Sequence, residues 1–374
     1  MPAVRKVLVV GAGIAGAAAA IRLATGGVAV DLIDALPEAG ATGSGITLQG
    51  NALRVLRELG VWDRLRPRGH GFDSLGIRAP DAYGTLLAEM TDFRTGGADL
   101  PATFGTYRPV LAQLLLERAA RVGARVRFGT SFTAIRPDGD GVEVTLTDHR
   151  TARYDVVIGA DGVRSAVRRE IGIDLVTRDV GIDIWRVVTA RPASVHRTEL
   201  ILGGPLHIAG YCPTGPESMY VYLAETPQHR GPLSPAESLA VVRSLAAPLH
   251  GPWDEIEFDD PARIHFTRFQ THLLDGPWNR GRVVVIGDAA HAAPPTLAQG
   301  AAMSLEDAAV LGDLLLTAPV VDDALWTEFT ARRLARVRTV VGASLQMCQW
   351  LLDGVRGDVP GLHAEVAALV SQPA

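Results

Sequence analysis

The pattern of hydrophobic positions begins with short apolar runs, rich in β-branched residues, that each stop at a glycine or an acidic residue. These runs occupy residues 7–10, 28–33, 156–158 and 283–286. Apolar runs of this length, which only Asp31 interrupts, are typical of strands that are covered on both faces. The pattern therefore predicts a core of buried strands.

Helical periodicity alternates with these strands and then dominates the C-terminal part of the chain. The predicted helices cover residues 17–24, 51–59, 110–122, 305–316 and 324–352, with a short one near Ala364. Residues 126–147 predict a hairpin, because the Asp-Gly-Asp-Gly sequence at 138–141 is a turn signal. The alternation of buried strands and helices predicts the α/β class.

Residues 181–268 have a different character and predict an antiparallel sheet. Runs at 182–189, 199–211 and 219–224 predict its strands, and Ser234 with Glu237 forms a capping box that opens a covering helix. The short, turn-rich stretch 75–101 predicts a further piece of sheet. We therefore expect a substrate-binding sheet domain made of residues 75–101 and 181–268. The other domain would contain residues 1–74, 102–180 and 269–374.

The first strand leads into a glycine-rich turn. Residues 11–16 follow the pattern G-x-G-x-x-G, a helix comes next, and the second strand ends in Asp34. Glycines in this pattern permit a tight turn and close approach of a pyrophosphate, and the acid accepts hydrogen bonds from a ribose. The glycine pattern alone could be an ordinary tight turn. The full strand–turn–helix–strand–acid unit predicts binding of an adenine dinucleotide.

The run at 283–286 ends in a sharp turn, a proline-rich loop and another helix. Pro294 and Pro295 cannot continue a strand ladder or enter a helix interior. Gln299, Gly300 and Ala301 therefore offer backbone N–H groups at the positive end of a helix. We expect this point to hold a ligand group that carries developing negative charge.

Composition narrows the function classes. A formal net charge of −5 argues against a nucleic-acid surface. Cys212 and Cys348 form no spaced pair, which fits a reducing cytoplasm. No uncharged apolar run approaches the roughly 20 residues that span a bilayer. The H-E-x-x-H and G-x-S-x-G patterns are absent, so we expect neither a metal site nor a serine hydrolase.

Three motifs in this order resemble those of the FAD-dependent aromatic hydroxylases. These enzymes are single-component flavoprotein monooxygenases related to p-hydroxybenzoate hydroxylase and salicylate hydroxylase. The motifs are residues 11–16 with Asp34, residues 155–162 with Ser165 and Arg168, and residues 287–291 with Pro294, Pro295, Gln299 and Gly300. The resemblance runs over almost the whole chain.

The resemblance implies both a fold and a reaction. The fold would be a Rossmann-like FAD-binding domain, with a βαβ unit and β-meander of the glutathione-reductase type, an inserted antiparallel substrate domain and C-terminal helices. FAD would be the cofactor, NADH or NADPH the electron donor and O2 the co-substrate. A small phenolic or heteroaromatic compound would be hydroxylated through a flavin C4a-hydroperoxide. The alternatives are an epoxidase, reductase or halogenase on the same scaffold, or a non-catalytic flavin-binding protein. We expect a monomer or homodimer.

The resemblance also assigns residues to FAD. The glycines of the first motif would approach the pyrophosphate. Asp34 would hold the adenosine ribose, and Asp288 would hold the ribityl hydroxyls. Asp161 would lie in a motif that serves both FAD and the nicotinamide donor. Many relatives have glycine at the position of Ala298, so we expect Ala298 to adopt a backbone conformation that suits a side chain. The full cofactor set is Gly11, Gly13, Ala15, Gly16, Asp34, Ser44, Gly45, Ile46, Arg108, Asp161, Asp288, Pro295, Ala298, Gln299, Gly300 and Ala301.

The substrate side is predicted from fewer residues. Tyr211 lies where relatives place an aromatic residue facing the flavin, and His207 lies two positions before it on the same strand face. Further candidates are Thr47, Gln49 and Pro294, and for the polar side chains a packed or solvated role is the alternative. His291 is expected to be structural. The remaining arginine-rich stretch, Arg332, Arg333, Arg336 and Arg338, is predicted to form a solvated helix face, with a phosphate site as the alternative.

Overall fold

The computed structural model describes residues 3–40 and 43–374. Residues 1, 2, 41 and 42, which include two positions of the glycine-rich loop after Asp34, lie outside the described residues. The strands are β1 (Lys6–Val10), β2 (Ala29–Ile33), β3 (Gly45–Gln49), β4 (Gly69–Phe72), β5 (Ser74–Arg78), β6 (Leu86–Thr91), β7 (Thr103–Tyr107), β8 (Arg125–Arg127), β9 (Phe132–Pro137), β10 (Val142–Leu146), β11 (Thr151–Tyr154), β12 (Val156–Gly159), β13 (Arg178–Ala190), β14 (Thr198–Leu202), β15 (Ile208–Pro213), β16 (Ser218–Glu225), β17 (Ile264–Leu273), β18 (Asn279–Arg280), β19 (Val283–Val285) and β20 (His291–Ala292). The helices are α1 (Ile14–Thr25), α2 (Gly50–Glu58), α3 (Trp62–Leu65), α4 (Arg108–Arg121), α5 (Ala166–Glu170), α6 (Pro235–Ala246), α7 (Gly300–Thr317), α8 (Asp323–Asp353) and α9 (Val359–Ser371).

A six-stranded sheet contains the buried apolar runs that the sequence predicts. Its strand order is β18-β19-β12-β1-β2-β8, and all neighbours except β18 and β19 are parallel. Helix α1 connects β1 to β2, and α7 packs along α1 on one face of the sheet. The predicted buried strands and the α/β class are therefore confirmed.

The hairpin prediction for residues 126–147 needs one correction. Strands β9 and β10 pair in antiparallel fashion across the predicted turn at 138–141. Residues 125–127, however, form β8 at the edge of the six-stranded sheet, parallel to β2. Helix α4 leads the chain from β7, which pairs with β3 and β4 in a separate small sheet, to β8 at the edge of the parallel sheet.

An eight-stranded sheet forms the second layer of the fold. Its order is β20-β17-β13-β16-β15-β14-β5-β6, and only the β14–β5 pair is parallel. The single strand predicted at 199–211 is wrong, because Gly203 and Gly204 adopt positive φ and turn the chain between β14 and β15. Helix α6 covers one face and begins with the predicted capping box at Ser234 and Glu237.

The eight-stranded sheet packs closely on a second, smaller sheet at positions occupied by glycine, which has no side chain. A small sheet of order β3-β7-β4 lies against the eight-stranded sheet. A Cβ atom on Gly105 would overlap the carbonyl oxygen of Pro213 and lie 2.7 Å from the Sγ atom of Cys212. A Cβ atom on Gly45 would overlap the ring of Tyr220. The backbones of β3 and β7 therefore pack directly on β15 and β16.

Within residues 3–40 and 43–374, we find no helix whose length and apolar character would let it cross a membrane.

We expect Gly105→Ala to lower the free energy of unfolding by about 1–3 kcal/mol, because the new methyl group must displace backbone at the contact between the sheets. Urea unfolding monitored by tryptophan fluorescence measures the effect. Gly342→Ala is the matched control, since Gly342 is exposed on α8 with no atom within 4 Å of an added Cβ. Gly342→Ala should raise the free energy of unfolding by about 0.5–1 kcal/mol. Equal unfolding midpoints for Gly105→Ala and wild type would contradict the close packing.

Candidate functional site

The three glycines of the first turn differ in the space that the protein leaves around them. Gly11 has φ +101°, and an added Cβ atom would overlap the carbonyl oxygen of Ala160. A Cβ atom on Gly16 would overlap the carbonyl oxygen of Gly11, so that position must be bare for α1 to pack on the turn. Gly13, in contrast, has no atom within 4 Å of an added Cβ. The turn is therefore closed on its protein side and open at Gly13, which is the position a ligand can approach.

Asp34 braces this turn from the end of β2. Its carboxylate accepts hydrogen bonds from the backbone N–H groups of Ala12, at 2.8 Å, and Leu36, at 2.9 Å. The side chain is partly exposed, so its remaining acceptor positions are open to a ribose hydroxyl. The acid is thus well placed to hold both the turn and a nucleoside.

The middle motif makes contacts within the protein. The carboxylate of Asp161 accepts hydrogen bonds from the hydroxyl of Ser165 and from the first N–H groups of α5. Arg168 is buried and donates to the carbonyl oxygens of Ala289, at 2.6 Å, and Val163, at 3.1 Å. These contacts join the middle motif to the third. Direct binding of a nucleotide by Asp161 stays a prediction.

The third motif turns at the point where two helices meet. Gly287 has φ +59°, and an added Cβ would lie 2.9 Å from the Cβ of Ala15 on α1 and 3.0 Å from the Oγ of Ser304 on α7. Asp288 follows, and its side chain is exposed to solvent. Desolvation raises the pKa of Asp288 above its ordinary value, against the opposing effects of His291 and Arg108. Asp288 therefore lies near enough to both cations for their charges to act on its carboxylate.

Helix α7 points its N-terminus toward the same region. Met303 is the first residue of α7 whose backbone N–H group has a backbone acceptor, the carbonyl oxygen of Gln299 at 2.9 Å. In the part of the chain that the structure describes, the N–H groups of Gly300, Ala301 and Ala302 have no acceptor. Gly300 also has open space where a Cβ would be. A helix terminus of this kind favours negative charge.

The expectation for Ala298 is wrong. Ala298 has φ +52° and ψ 28°, which is the left-handed region, because it ends the short 3₁₀ helix Pro295–Leu297 just before α7 begins. This conformation costs a non-glycine residue about 1 kcal/mol. Pro294, a predicted substrate contact, is buried immediately before the same 3₁₀ helix.

A buried ion cluster lies behind the turn at Gly287, and it corrects the prediction for the C-terminal arginines. Arg333 is fully buried and donates to Asp307 at 2.8 Å and Glu306 at 2.9 Å. Arg336 is also buried and lies 3.6 Å from Glu306. Arg332 is exposed as predicted. The exposed-face prediction fails for Arg333 and Arg336 because α8 lies across α7, which supplies acidic partners that the arginine spacing alone could not reveal.

Asp307 connects this cluster to the third motif. Its Oδ2 atom accepts the N–H group of Gly287 at 2.8 Å and lies 2.7 Å from Nε2 of His291. Burial by itself would raise the pKa of Asp307, but the interactions with His291 and Arg333 lower it below the ordinary value. His291 is buried and has the contacts of a structural residue.

Asn51 extends the cluster to Gln299. Its side-chain amide donates to Glu306 and to the side-chain oxygen of Gln299, both at 3.1 Å. Gln299 is buried, so its side chain anchors the N-terminus of α7 and leaves the backbone N–H groups for other partners. Nothing in the sequence pattern distinguished Asn51 from the other polar residues of α2.

The loop residues predicted to line the cofactor lie near Arg108. The carbonyl oxygen of Ser44 accepts the N–H group of Arg108 at 3.2 Å, and the Ser44 hydroxyl donates to the carbonyl of Gly45. Arg108 is exposed at the start of α4 and has no carboxylate within 4 Å among the described residues. Ile46 follows in β3 and is half-buried. The strand thus brings this loop and the α4 N-terminus together.

The structure corrects the prediction that Tyr211 faces the flavin. Tyr211 is buried beneath α6, where its hydroxyl donates to Glu199 and its ring lies 5.9 Å from that of Trp253. Successive side chains of a strand point to opposite faces, so Cys212 is the residue that faces β3. His207 lies before β15, with Nε2 3.0 Å from the Thr226 hydroxyl. Tyr211 and His207 therefore do not form a pair.

Thr47 does lie at the interface between the two sheets. Its hydroxyl is 2.7 Å from the hydroxyl of Tyr220 and 3.4 Å from the Sγ atom of Cys212. Gln49, two positions on, accepts a hydrogen bond from Thr103 at 3.2 Å. Tyr220 was missed at the sequence level, although an alternating run of tyrosines at 220 and 222 on one strand face was a visible signal.

His272 supports the Asp288 turn from β17. Its Nε2 atom lies 2.9 Å from the Asp288 carbonyl oxygen and therefore carries the proton, while Nδ1 lies 2.8 Å from the Thr177 hydroxyl. Burial is the main cause that lowers the pKa of His272, to about 4. The neutral ring is therefore part of the folded state.

Comparison with known proteins gives the following matches. A family model described as FAD binding domain matches residues 5–344. The chain is 34% identical to the 2-heptyl-3-hydroxy-4(1H)-quinolone synthase of Pseudomonas aeruginosa, over 89% of this chain and 86% of that protein. It is 31% identical to the 3-hydroxybenzoate 6-hydroxylase of Polaromonas naphthalenivorans, over 92% of this chain and 88% of that protein.

A solved structure has the same overall fold. The tetrameric form of 2-methyl-3-hydroxypyridine-5-carboxylic acid oxygenase is similar with a TM-score of 0.80 and 26% sequence identity. The similarity covers 97% of this chain and 96% of that one. It therefore includes both the parallel and the antiparallel sheet.

We expect Arg333→Met to lower the free energy of unfolding by about 3–5 kcal/mol, because it removes the buried cation that donates to both Asp307 and Glu306. Arg332→Met, at the neighbouring exposed position, is the matched control and should lower the free energy of unfolding by less than about 1 kcal/mol. Chemical unfolding of both variants at one pH measures the difference. Similar losses in the two variants would contradict the role assigned to the cluster.

The lowered pKa of His272 predicts a pH dependence. The unfolded state takes up a proton below pH 6.5 and the folded state only near pH 4, so stability should fall as the pH drops through this window. The loss between pH 7.5 and pH 4.5 should be about 2–3 kcal/mol greater in wild type than in His272→Gln, which keeps a donor for Asp288. The exposed-site control His229→Gln should behave as wild type. Parallel stability–pH curves for all three proteins would refute the assignment.

Proposed function

The chain belongs to the FAD-dependent aromatic hydroxylases, and we propose that it uses NADH or NADPH and O2 to hydroxylate a small phenolic or heteroaromatic compound. The relatives' names refer to a hydroxyquinolone, a hydroxybenzoate and a hydroxypyridine, all electron-rich aromatic rings. The observation that carries the proposal is the convergence of the N-terminal turns of α1 and α7 on the turn at Gly287, next to the exposed side chain of Asp288.

The residues around this turn fit FAD. Gly13 would let the pyrophosphate approach the N-terminus of α1. Arg108, which has no carboxylate within 4 Å among residues 3–40 and 43–374 and whose charge acts on Asp288, would lie near the ribityl–phosphate part of the flavin. Asp34 would accept hydrogen bonds from the adenosine ribose, and Asp288 from the ribityl chain. The free N–H groups that begin α7 would hold the electron-rich edge of the flavin ring.

Bound FAD would supply the redox chemistry, with two electrons from NADH or NADPH and one atom of O2 entering the substrate ring while the other left as water. The chain itself must position the ring and keep water out. The N-terminus of α7 stabilises negative charge on the bound cofactor without reorganising, because the Asn51–Glu306 cluster fixes Gln299. The eight-stranded sheet, packed on β3, would close the substrate side.

We also propose the finer architecture. The parallel sheet with the β9–β11 meander would be a Rossmann-like, glutathione-reductase-type FAD-binding domain made of residues 1–74, 102–180 and 269–374. Residues 75–101 and 181–268 would form the substrate domain. A monomer or homodimer in the cytoplasm fits the charge and cysteine content. Thr47, Gln49 and Pro294 remain candidates for substrate contacts.

We expect Asp288→Ala to reduce FAD occupancy of the purified protein at least tenfold, because the site loses its polar contact to the ribityl chain. The measurement is the ratio of flavin to protein absorbance after desalting, with the folded fraction checked by circular dichroism. Asp275→Ala is the matched control, since Asp275 is exposed and pairs with Arg338 at the surface. Full FAD occupancy in Asp288→Ala would count against the ribityl assignment.

The reaction is tested with the wild-type protein loaded with FAD. NADH and NADPH oxidation is recorded together with H2O2 across phenols, hydroxybenzoates, hydroxypyridines and hydroxyquinolones. We expect at least one compound to accelerate oxidation more than tenfold without matching H2O2, which identifies hydroxylation. Acceleration with stoichiometric H2O2 for every compound would contradict the proposed hydroxylase activity. Oxidation that no compound accelerates would favour a different flavoprotein reaction.

A further inference from the structure

The buried ion cluster behind the third motif contains more cations than acids. Its acids are Glu306 and Asp307 on α7, and both contact Arg333. Glu306 also lies 3.6 Å from Nε of Arg336 and 3.9 Å from the guanidinium of Arg54 on α2. Among residues 3–40 and 43–374, no other carboxylate lies within 4 Å of these three arginines. Three cations and two acids give the cluster a formal charge of +1.

The remaining partners of the cluster do not cancel this excess positive charge. His291 lies beside Asp307, and its ring adds no negative charge in either protonation state. The guanidinium groups of Arg54 and Arg336 otherwise donate to backbone carbonyl oxygens, most of them at the C-terminal end of α9. A helix C-terminus compensates a cation only in part, because its carbonyl groups are dipoles without net charge.

The pKa of Arg336 is consistent with the excess of positive charge. Desolvation is the main cause that lowers this pKa, and the charges of Arg333 and Arg54 act in the same direction. Glu306 opposes these effects without offsetting them. A guanidinium group does not lose its proton in proteins, so the excess charge persists in the folded state.

The excess charge is also shielded from water. Arg333 is fully buried, and the side chains of Arg336 and Arg54 are 7% and 12% exposed. In such surroundings the effective dielectric constant is about 20, compared with about 80 in water. The field of the cluster therefore extends farther than that of a surface ion pair.

The cluster lies directly behind the helix terminus that is proposed to hold the flavin. Asn51 donates to Glu306 and to Gln299, both at 3.1 Å, so one side chain joins the cluster to the residue before α7. Between Gly300 and Glu306 the helix rises by about 9 Å. A unit charge about 10 Å away shifts an equilibrium between a neutral and an anionic form by roughly tenfold at this dielectric constant.

We propose that Arg54 supplies the excess charge of this cluster and thereby raises the reduction potential of FAD bound at the N-terminus of α7. The inference rests on the proposed function, which places the electron-rich edge of the flavin at this terminus. Negative charge increases there when the flavin is reduced, so a nearby cation favours the reduced form. Arg54 is the cation least closely paired with an acid, and it follows Asn51 on α2 by one helical turn. A higher potential would favour electron transfer from the nicotinamide donor.

The test compares the reduction potential of bound FAD in wild type, Arg54→Gln, Arg54→Lys and Arg57→Gln. Arg54→Gln removes the charge, whereas Arg54→Lys keeps the charge and loses the planar fork that bonds the carbonyl groups. Arg57 is the matched control, because it lies on α2 with a side chain that is 41% exposed and pairs with Asp99. FAD occupancy and circular dichroism are recorded first, and all potentials are measured against a reference dye at one pH.

We expect Arg54→Gln to disfavour reduced FAD about tenfold, which is about 30 mV for a two-electron couple. Arg54→Lys and Arg57→Gln should change this equilibrium less than threefold. A role limited to packing would shift the potential equally in Arg54→Gln and Arg54→Lys, since both lose the guanidinium fork. Equal shifts, no shift in Arg54→Gln, or loss of FAD from Arg54→Gln would overturn the inference.

Glu306→Gln provides a prediction of opposite sign. This change removes an acid and keeps an oxygen that can accept the Asn51 amide, so the excess positive charge increases. We expect reduced FAD to become about tenfold more favourable, which general damage to the site would not produce. A potential that falls in both Glu306→Gln and Arg54→Gln would overturn the inference. If Glu306→Gln does not fold, the comparison of Arg54→Gln with Arg54→Lys decides. Failure of wild type to retain FAD would instead contradict the proposed function.

Discussion

The buried guanidinium of Arg333 is the contact on which the site depends. It neutralises Asp307 and Glu306, which in turn hold the N–H group of Gly287 and the side-chain amide of Asn51. One cation thus fixes α8, α7, the third-motif turn and α2 relative to one another. This cation lowers the cost of burying both carboxylates, together with His291 beside Asp307 and Arg336 beside Glu306, and each carboxylate orders a different neighbouring segment.

The presence or absence of a carboxylate partner distinguishes two arginines, Arg333 and Arg186, whose sequence surroundings do not reveal this difference. Arg333 has its counter-ions within the chain, so its role is structural. Among residues 3–40 and 43–374, Arg186 donates to the Thr267 hydroxyl and has no carboxylate within 4 Å. The two arginines therefore differ in their partners, which the sequence around each of them does not show.

The main error in the prediction of the substrate site concerns which face of the sheet each residue of β15 points to. Tyr211 and Cys212 are adjacent in sequence but face opposite sides of the sheet, and sequence periodicity does not say which side meets the cofactor. The face is decided by α6, which covers Tyr211, and by Gly45 and Gly105, which let β3 and β7 approach Tyr220 and Cys212. Helix α6 begins 24 positions after Tyr211, and the two glycines lie more than 100 positions before the residues they contact, so neither fact follows from a local pattern.

The sequence by itself determined the buried parallel strands, the glycine turn at 11–16, the turn at Gly287 and the helix start at Gly300, because each follows from local backbone chemistry and apolar periodicity. Only the tertiary structure decided that Arg333 is buried, that Asn51 holds Gln299 and that α6 covers Tyr211. These properties depend on which distant side chain supplies the opposite charge or the covering surface, and that is a property of packing, not of spacing along the chain.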